Sequence, residues 1–443
     1  MRKLKKLATI FDDVNVNITI PLSNEEIEKR HTEYINNSYE EFKKLYRHHL
    51  YTPVEINFFG KTHNLQLNNC YNPFCKWYGL PQQKYESIKS KPSRYKIGGS
   101  NKADDEKFIC NIITDNSIIG EPIKHSNESI SNWSLAEEIK RLVAINSTIP
   151  MEEDYTFHKE GCKNSDSNPF DDDKLFYKRG KSSSNSQKYQ CKECKKITNV
   201  LPTQNESFTY HQGRSEILIQ FAKDIVSRTP VKRTCEKLNI ASGTYYSKLE
   251  WLYKKCLEFL EAHESKPLFN MNFNEIWLNT DMFIYNLNNI KQKGKGGKKA
   301  PRNNEKKLQT CIISSGDLKS SYIFRSDVAY DFSVKLEDIE NDTKIYHCDH
   351  NYKFLRKNER LKYPYCPQLP TMLDFQTEAE YIQEFLEFNK RKNYVDGCHV
   401  KAQYTSAAHY WLIKQMINSS KWYFVSDDDT TLQSCIFRVF QIL

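Results

Sequence analysis

Apolar and polar side chains alternate with a period of two in several stretches of the second half of the chain. The first stretch, "FNEIWLNTDMFIYNL", follows Pro267, and two more, "KLQTCIISSGD" and "SSYIFRSDVAY", come after a basic, glycine-rich segment. The helical pattern "TSAAHYWLIKQMINSS" then leads into a fourth strand pattern, "KWYFVSDDD". Strands with this alternation, interrupted by helices, predict an α/β domain with a mixed sheet over residues 267–443. A stretch at about 340–397 is interpreted as an insertion in that domain.

A helical pattern precedes this domain. Ile217, Leu218, Phe221 and Ile225 recur at helical spacing. Pro230 can end one helix and occupy the first turn of the next. Ser242 is a favourable N-cap for a third helix. The pattern predicts a helix-turn-helix over residues 206–266, and an ordinary helical hairpin is the alternative.

In a helix-turn-helix, the N-terminal residues of the second helix contact bases in the major groove. That geometry makes Thr244, Tyr245, Ser247 and Lys248 the candidate contacts to bases or phosphates. The preceding helix crosses the DNA backbone, so its basic side chains are predicted to face phosphates. These are Lys232 and Arg233.

Cysteine spacing indicates a metal site ahead of these helices. His158 and Cys162 precede a C-x2-C pair, Cys191 and Cys194. Zinc prefers four tetrahedral nitrogen or sulfur ligands, and a C-x2-C turn supplies two thiolates from one side. Residues 126–205 are therefore predicted to form a zinc ribbon with a structural ion and a basic hairpin between the two ligand pairs. The alternative is a free C-x2-C loop with an unrelated upstream His and Cys.

An earlier stretch has a similar layout but lacks one ligand. Cys70 and Cys75 form a first pair, and Cys110 has no cysteine partner after it. His63 and His125 are possible substitutes, although neither has a convincing spacing. Residues 61–125 are interpreted as a degenerate zinc-ribbon-like module that either has decayed or holds together without metal, after a helical or irregular segment at 1–60.

Composition narrows the class of protein. The chain has 443 residues, 38% of them hydrophobic, and a formal net charge of +9. The length and the hydrophobic content allow several folded domains. The positive net charge favours polyanionic partners. No apolar run reaches the length of about 18 residues that a membrane span requires. The apolar part of the N-terminus is too short for a signal peptide, so the sequence predicts a cytoplasmic, nucleoid-associated protein with no membrane partner.

Acidic residues give the second half its candidate chemistry. Asp281 lies within the first strand pattern, and Asp427, Asp428 and Asp429 follow the fourth. A strand with a central acid, two further strands, helices and a fourth strand tipped by an acid is the order of a ribonuclease-H-like fold. A solvated turn is the alternative for the three consecutive aspartates.

Taken in order, these motifs resemble a DDE-type transposase of a bacterial insertion sequence over roughly residues 60 to 443. The resemblance implies a multidomain α+β protein with zinc ribbons, a helix-turn-helix and an incomplete ribonuclease-H-like domain. It implies Asp281 as the first catalytic acid and Asp427 as the second, with Asp429 as the neighbouring candidate. Two Mg²⁺ or Mn²⁺ ions held by carboxylates would then assist cleavage and transfer of DNA strands.

The sequence departs from this family at the third acid, which is usually a glutamate on a later helix. The segment "TTLQSCIFRVFQIL" after Asp429 contains no acid. The resemblance therefore implies either a truncated, inactive copy that still binds DNA or a less usual acid in this role, and enzyme activity stays open. Its partners would be double-stranded DNA at transposon ends and target, with a homo-oligomer on the DNA. The alternatives are a zinc-ribbon, helix-turn-helix DNA-binding regulator without catalysis and a zinc-ribbon protein that binds RNA or protein.

Overall fold

The computed structural model places a large part of the chain in defined elements. The residues it describes are 23–37, 41, 45, 50–58, 61–82, 94–98, 107–110, 114–115, 122–123, 125–146, 155–181, 186–200, 213–260, 263–264, 266–287, 309–335, 360–362, 369, 377–391 and 396–441. The fold is mixed α+β, as the sequence predicts. Contacts divide it into a smaller unit, Met1–Asp13 with Asn146–Pro267, and a larger unit, Val14–Ile145 with Leu268–Leu443.

The helices of the described residues, in chain order, are α1 (Asn24–Asn36), α2 (Asn132–Asn146), α3 (Leu218–Val226), α4 (Val231–Leu238), α5 (Ser242–Leu260), α6 (Lys266–Phe269), α7 (Glu378–Arg391), α8 (Ala402–Met416) and α9 (Thr430–Val439).

The strands, in chain order, are β1 (Val54–Phe58), β2 (Lys61–Leu65), β3 (Tyr95–Gly98), β4 (Lys107–Cys110), β5 (Thr114–Asp115), β6 (Pro122–Ile123), β7 (Ser126–Glu128), β8 (Phe176–Lys181), β9 (Gln187–Cys191), β10 (Ile197–Val200), β11 (Asn272–Phe273), β12 (Ile276–Asn286), β13 (Gln309–Asp317), β14 (Ile323–Val328), β15 (Tyr330–Lys335), β16 (Leu361–Lys362), β17 (Asp396–Val400), β18 (Asn418–Ser419) and β19 (Trp422–Ser426).

The main sheet of the larger unit has the strand order β14-β13-β12-β19. Strand β12 is antiparallel to β13 and parallel to β19, and β13 is antiparallel to β14. The alternation in β12 explains its two faces, because Ile276, Leu278 and Thr280 are buried while Asn279 and Asp281 are exposed. The four strands and helix α8 thus form where the sequence predicts them.

Helix α8 covers the buried face of this sheet. It is buried continuously from Tyr404 to Ile413, which is why its pattern is nearly apolar on all sides. The imidazole of His409 lies within this layer. Its Nδ1 is 2.8 Å from Asp327 Oδ2 of β14, and its Nε2 is 2.8 Å from the Ser315 hydroxyl of β13.

Helix α2 also belongs to the larger unit. Arg141 is buried and donates to the carbonyls of Val328 and Tyr330, at 2.9 and 3.0 Å. The Glu138 carboxylate, buried beside it, accepts from Arg141 and from Thr405 of α8. These contacts join a helix from the first third of the chain to strands from the last third.

The first cysteine module is built on short antiparallel strands in the same unit, with the order β3-β4-β7. Its junction with α9 is polar and buried. The guanidinium of Arg438 donates to the carbonyls of Leu67 and Glu128 and lies 4.4 Å from the ring of Tyr71. Nearby, Asn69 donates to Gln441 at 2.8 Å.

The smaller unit contains a three-stranded antiparallel sheet, β10-β9-β8, followed by α3, α4 and α5. The hairpin predicted between the ligand pairs is β8–β9. The three helices share a core whose buried members are Ile217, Phe221, Leu238 and Tyr245. Asn239 ends α4 in the left-handed conformation, with φ 49°, which turns the chain sharply toward α5.

Two sequence interpretations fall largely outside the described residues. The basic, glycine-rich segment lies between β12 and β13, whose ends pair at Asn286 and Gln309, and residues 288–308 are outside the described part. Within the predicted insertion, the structure describes α7 and the strands β16 and β17. The domain boundaries drawn from the sequence stay predictions.

Candidate metal centres, helix-turn-helix and carboxylate pair

The four predicted ribbon ligands lie together. One ligand atom from each of His158, Cys162, Cys191 and Cys194 lies within 4.8 Å of all the others. The hairpin β8–β9 delivers Cys191 at its end, and the turn before β10 delivers Cys194. The group packs on buried Phe157 and Phe176. This arrangement can hold a metal ion such as zinc.

The histidine is oriented for ligation by a backbone carbonyl. Its Nε2 is 2.9 Å from the Ser167 carbonyl oxygen, which can only accept, so Nε2 carries the proton. The lone pair of Nδ1 is then directed toward the cysteines, 3.3 Å from Cys162 Sγ. Metal-bound histidines usually donate a hydrogen bond of this kind from the ring nitrogen that does not bind the metal.

Backbone N–H groups stabilise a thiolate in this cluster. Burial opposes the charged form of Cys194, but N–H groups of Lys159 and Lys196 point at its sulfur and lower its pKa to about 6. Because metal ions bind the thiolate form, this environment favours a ligand over a neutral thiol.

The cysteines of the earlier module also converge. The sulfurs of Cys70, Cys75 and Cys110 all lie within 4.8 Å of one another, and the three residues are buried. The hydrogen bond with Cys110 lowers the pKa of Cys70 to about 6, whereas burial raises the pKa of Cys75. The three-cysteine group too can hold a metal ion such as zinc. His63 is elsewhere, with its ring 5.4 Å from that of Trp411.

The helix-turn-helix prediction needs two corrections at the residue level. Tyr245 is buried in the three-helix core, its ring 5.2 Å from that of Phe221. Lys248 is also buried, and its Nζ donates to the carbonyls of Gly213 and Arg214, at 2.8 and 3.4 Å. Both therefore hold the helices together and do not face a groove. The sequence pattern misplaced them because they lie three residues apart on the inner face of α5.

The remaining predicted contacts are on the surface. Thr244 and Ser247 are exposed near the start of α5, and the intervening Tyr246, which the sequence reasoning missed, is exposed as well. On α4 the side chains of Lys232 and Arg233 are 91% and 72% exposed, and each lies near Glu236.

Asp281 and Asp427 lie at the same level of adjacent parallel strands. Thr280 pairs with Ser426, and the two aspartates are the next residues along β12 and after β19. Adjacent strands lie about 4.8 Å apart. Stacking of Trp277 on Tyr423, with ring centroids 4.4 Å apart, shows that equivalent positions share one face. Both aspartates are exposed.

Asp429, the neighbouring catalytic candidate, has a structural role in the fold. Its Oδ1 accepts from the N–H groups of Thr431 and Leu432, at 2.8 and 3.0 Å, so it is the N-cap of α9. Asp428 accepts from Gln433 at 2.7 Å. Among the described residues, no group of three metal-ligating side chains forms around Asp281 and Asp427.

Comparisons with protein-family models, with curated proteins and with solved structures each found no match to this chain. Among the described helices, none combines the length and the apolar character that crossing a bilayer requires.

Proposed function

We propose that this chain is a DNA-binding, transposase-like protein with a ribonuclease-H-like domain that carries a divalent-cation site at Asp281 and Asp427. The observation that supports it most is the register that brings these two acids together on adjacent parallel strands. The strand order β14-β13-β12-β19, with only β12 and β19 parallel, agrees with that fold. By resemblance to DDE-type transposases, Asp281 corresponds to the first catalytic acid of such a domain and Asp427 to the second.

Two exposed carboxylates at strand spacing can share one hard cation such as Mg²⁺ or Mn²⁺. A second ion at the leaving oxygen needs further oxygen ligands, and the described residues do not gather a third acid there. We therefore expect weak binding of one ion, with no efficient cutting or joining of DNA by the 443-residue chain.

DNA binding is assigned to α4 and α5 of the smaller unit. Lys232 and Arg233 would neutralise phosphates, and the exposed start of α5 would face the groove. The hairpin β8–β9 adds exposed cations at Lys178, Arg179 and Lys181. The ion of the four-ligand cluster at His158, Cys162, Cys191 and Cys194, with zinc as the proposed metal, would be structural.

A DNA-binding regulator without catalysis is the second candidate. The use of Asp429 as a helix cap favours it, because Oδ1 of this acid is already engaged by two backbone N–H groups. The two candidates differ in whether Asp281 and Asp427 bind a cation.

The test measures Mn²⁺ binding to the full chain by electron paramagnetic resonance of free Mn²⁺. Asp281→Asn and Asp427→Asn are each expected to weaken binding by about tenfold or more, because each removes a direct ligand. Asp428→Asn is the matched control, since Asp428 is exposed and next to Asp427 but bonded to Gln433. Equal Mn²⁺ affinity in all three variants would favour the DNA-binding regulator without catalysis over the transposase-like protein.

Strand transfer is measured in parallel with supercoiled plasmid and Mg²⁺ or Mn²⁺. Efficient metal-dependent nicking or joining by the purified chain would contradict the expected inactivity. Loss of that activity in Asp281→Asn would still support the assignment of the acids.

A further inference from the structure

The three-cysteine group in the larger unit has the features of a functioning metal site. In addition to their mutual approach, the three sulfurs each have a hydrogen-bond donor. The Trp77 N–H lies 3.5 Å from Cys75 Sγ, the Asn127 amide lies 3.7 Å from Cys110 Sγ, and the Asn72 N–H points at Cys70 Sγ. A polar hydrogen aimed at each sulfur is the kind of outer contact that orients cysteine ligands around a metal ion.

The three buried sulfurs come from separate segments of the chain and converge on one point, as the ligands of a single metal ion do. The local backbone already has the tight turn that such a site requires. The Gly79 N–H donates to the Cys70 carbonyl at 2.9 Å, and the Tyr78 N–H donates to the Cys75 carbonyl at 2.9 Å. Cys110 arrives from β4, on the other side of the cluster.

His125 is placed to complete the tetrahedron. The Cys110 N–H donates to the His125 carbonyl at 3.0 Å, and Ile109 pairs with Ser126, so His125 is the cross-strand neighbour of Cys110. Side chains directly opposite each other on antiparallel strands lie on one face, with Cβ atoms about 5 Å apart. His125 Nδ1 is also 2.7 Å from the side-chain nitrogen of Asn72, two residues after Cys70.

The His125 side chain borders an open cleft, so its imidazole is not locked in a packed core. His125, Asn72 and Asn127 line a cleft of 590 Å³ whose other wall is formed by α9. Rotation would replace the contact of Nδ1 with the Asn72 amide by a metal–nitrogen bond, and the metal bond is the stronger of the two. His63 has no comparable position because its ring packs against Trp411.

We propose that Cys70, Cys75, Cys110 and His125 form a second zinc site, of the Cys₃His type, in the larger unit. Zn²⁺ is the ion of choice because three cysteine sulfurs and one imidazole are a structural zinc set. The site is independent of the carboxylate pair and of the proposed DNA binding. It fastens β4, β7 and the turn after Cys70, and therefore the platform on which α9 lies.

The experiment counts zinc in the purified, zinc-saturated full chain by plasma mass spectrometry. The wild type is expected to hold about two zinc ions, one for each four-ligand group. Cys75→Ser and Cys194→Ser should each lower this to about one, and the double variant should hold none. A wild type that binds one ion, lost in Cys194→Ser, would overturn the second site.

The role of His125 is tested in the Cys194→Ser background, where a remaining ion reports on the second site alone. His125→Ala should make this zinc exchange into a chelator about 10–100-fold more readily, and His63→Ala is the matched control. Cobalt in the same site should show the visible bands of a tetrahedral S₃N centre, altered by His125→Ala. An unchanged cobalt spectrum and unchanged zinc retention in His125→Ala would refute the assignment even if Cys75→Ser fails to fold.

Discussion

At the scale of single residues, the three consecutive aspartates have three different environments. Asp427 lies beside Asp281, Asp428 is bonded to Gln433, and Asp429 caps α9. Sequence could predict that an acid is needed after β19, but not which one, because adjacent identical residues carry the same chemistry. The backbone direction after the strand separates them.

The role of Asp429 as a helix cap can be tested separately from a role as metal ligand. Asp429→Ala should lower the free energy of unfolding by about 1 kcal/mol, because two N–H groups at the start of α9 lose their acceptor. Asp429→Asn should keep most of that stability, since asparagine caps helices nearly as well as aspartate. The measurement is urea unfolding without divalent ions, and Asp428→Asn serves as the control. A large loss in Asp429→Asn would contradict the cap as its main role.

Lys248 makes a second residue-level prediction. Lys248→Met removes the charged donor to the Gly213 and Arg214 carbonyls and should destabilise the smaller unit by about 1–3 kcal/mol. Hydrogen exchange in residues 213–260 should then become faster. The slope of DNA affinity against salt should not change, because a buried ammonium contacts no phosphate.

Lys232→Ala is the matched contrast, since this side chain is 91% exposed. It should reduce the salt slope by about one unit without changing hydrogen exchange. If Lys248→Met reduces the slope while exchange stays unchanged, the buried lysine must reach DNA after all.

At the scale of elements, the sequence is most informative where one side of a strand or helix is buried. The strands β12, β13, β14 and β19 and the helix α8 follow directly from period-two and apolar patterns. The ribbon ligands followed from spacing, because a C-x2-C turn is a local geometry. Their convergence with His158 and Cys162 was predicted and is present in the structure.

Contacts between distant segments could not be predicted in this way. The packing of α2 on Val328 and Tyr330 through Arg141 joins positions nearly two hundred residues apart. No local pattern encodes it, and a buried arginine resembles a surface residue in sequence. The sequence offered His125 only as a possible substitute ligand, and its place opposite Cys110 could not be predicted for the same reason, since strand pairing and not spacing brings them together.

The ribbon makes a prediction at this scale. Replacing Cys191 and Cys194 together with serine should release about one zinc ion per chain and loosen residues 155–200, because metal binding supplies much of the folding free energy of such a module. Zinc analysis and hydrogen exchange measure the two effects. Cys256→Ser is the control, since this cysteine is exposed and outside both clusters. Unchanged zinc content in the double variant would refute the ligand assignment.

At the scale of the whole molecule, the larger unit depends on a buried polar network as well as on its apolar core. Asp327 is paired with Arg325, and its carboxylate also accepts from His409. Ser315 links the imidazole to Thr280, which precedes Asp281 on β12, at a hydroxyl separation of 2.6 Å. The network therefore ties β12, the strand that carries Asp281, to β13, β14 and α8.

The charge states of this network set its response to acid. Burial outweighs the attraction of Asp327 and lowers the pKa of His409. Burial alone would raise the pKa of Asp327, but Arg325 and the hydrogen bond from His409 together outweigh burial and lower that pKa. In both cases the unfolded chain binds the proton more readily than the folded one, so stability must rise with pH. The His409 contribution is present above about pH 6.5 and is lost below it, while that of Asp327 is lost only below about pH 4.

The last prediction concerns the loss of stability of the larger unit as the pH falls. The larger unit should lose stability between about pH 6.5 and 5 with a contribution from His409 of at most about 1.4 kcal/mol per pH unit. Urea unfolding followed by tryptophan fluorescence reports on this unit, because Trp251 alone among the six tryptophans lies in the smaller one. His409→Gln should lower stability at neutral pH and flatten the dependence in this window. His63→Gln, at a histidine on the ring of Trp411, controls for the general effect of removing an imidazole. A pH dependence equally steep in wild type and His409→Gln would show that His409 is not the group that titrates.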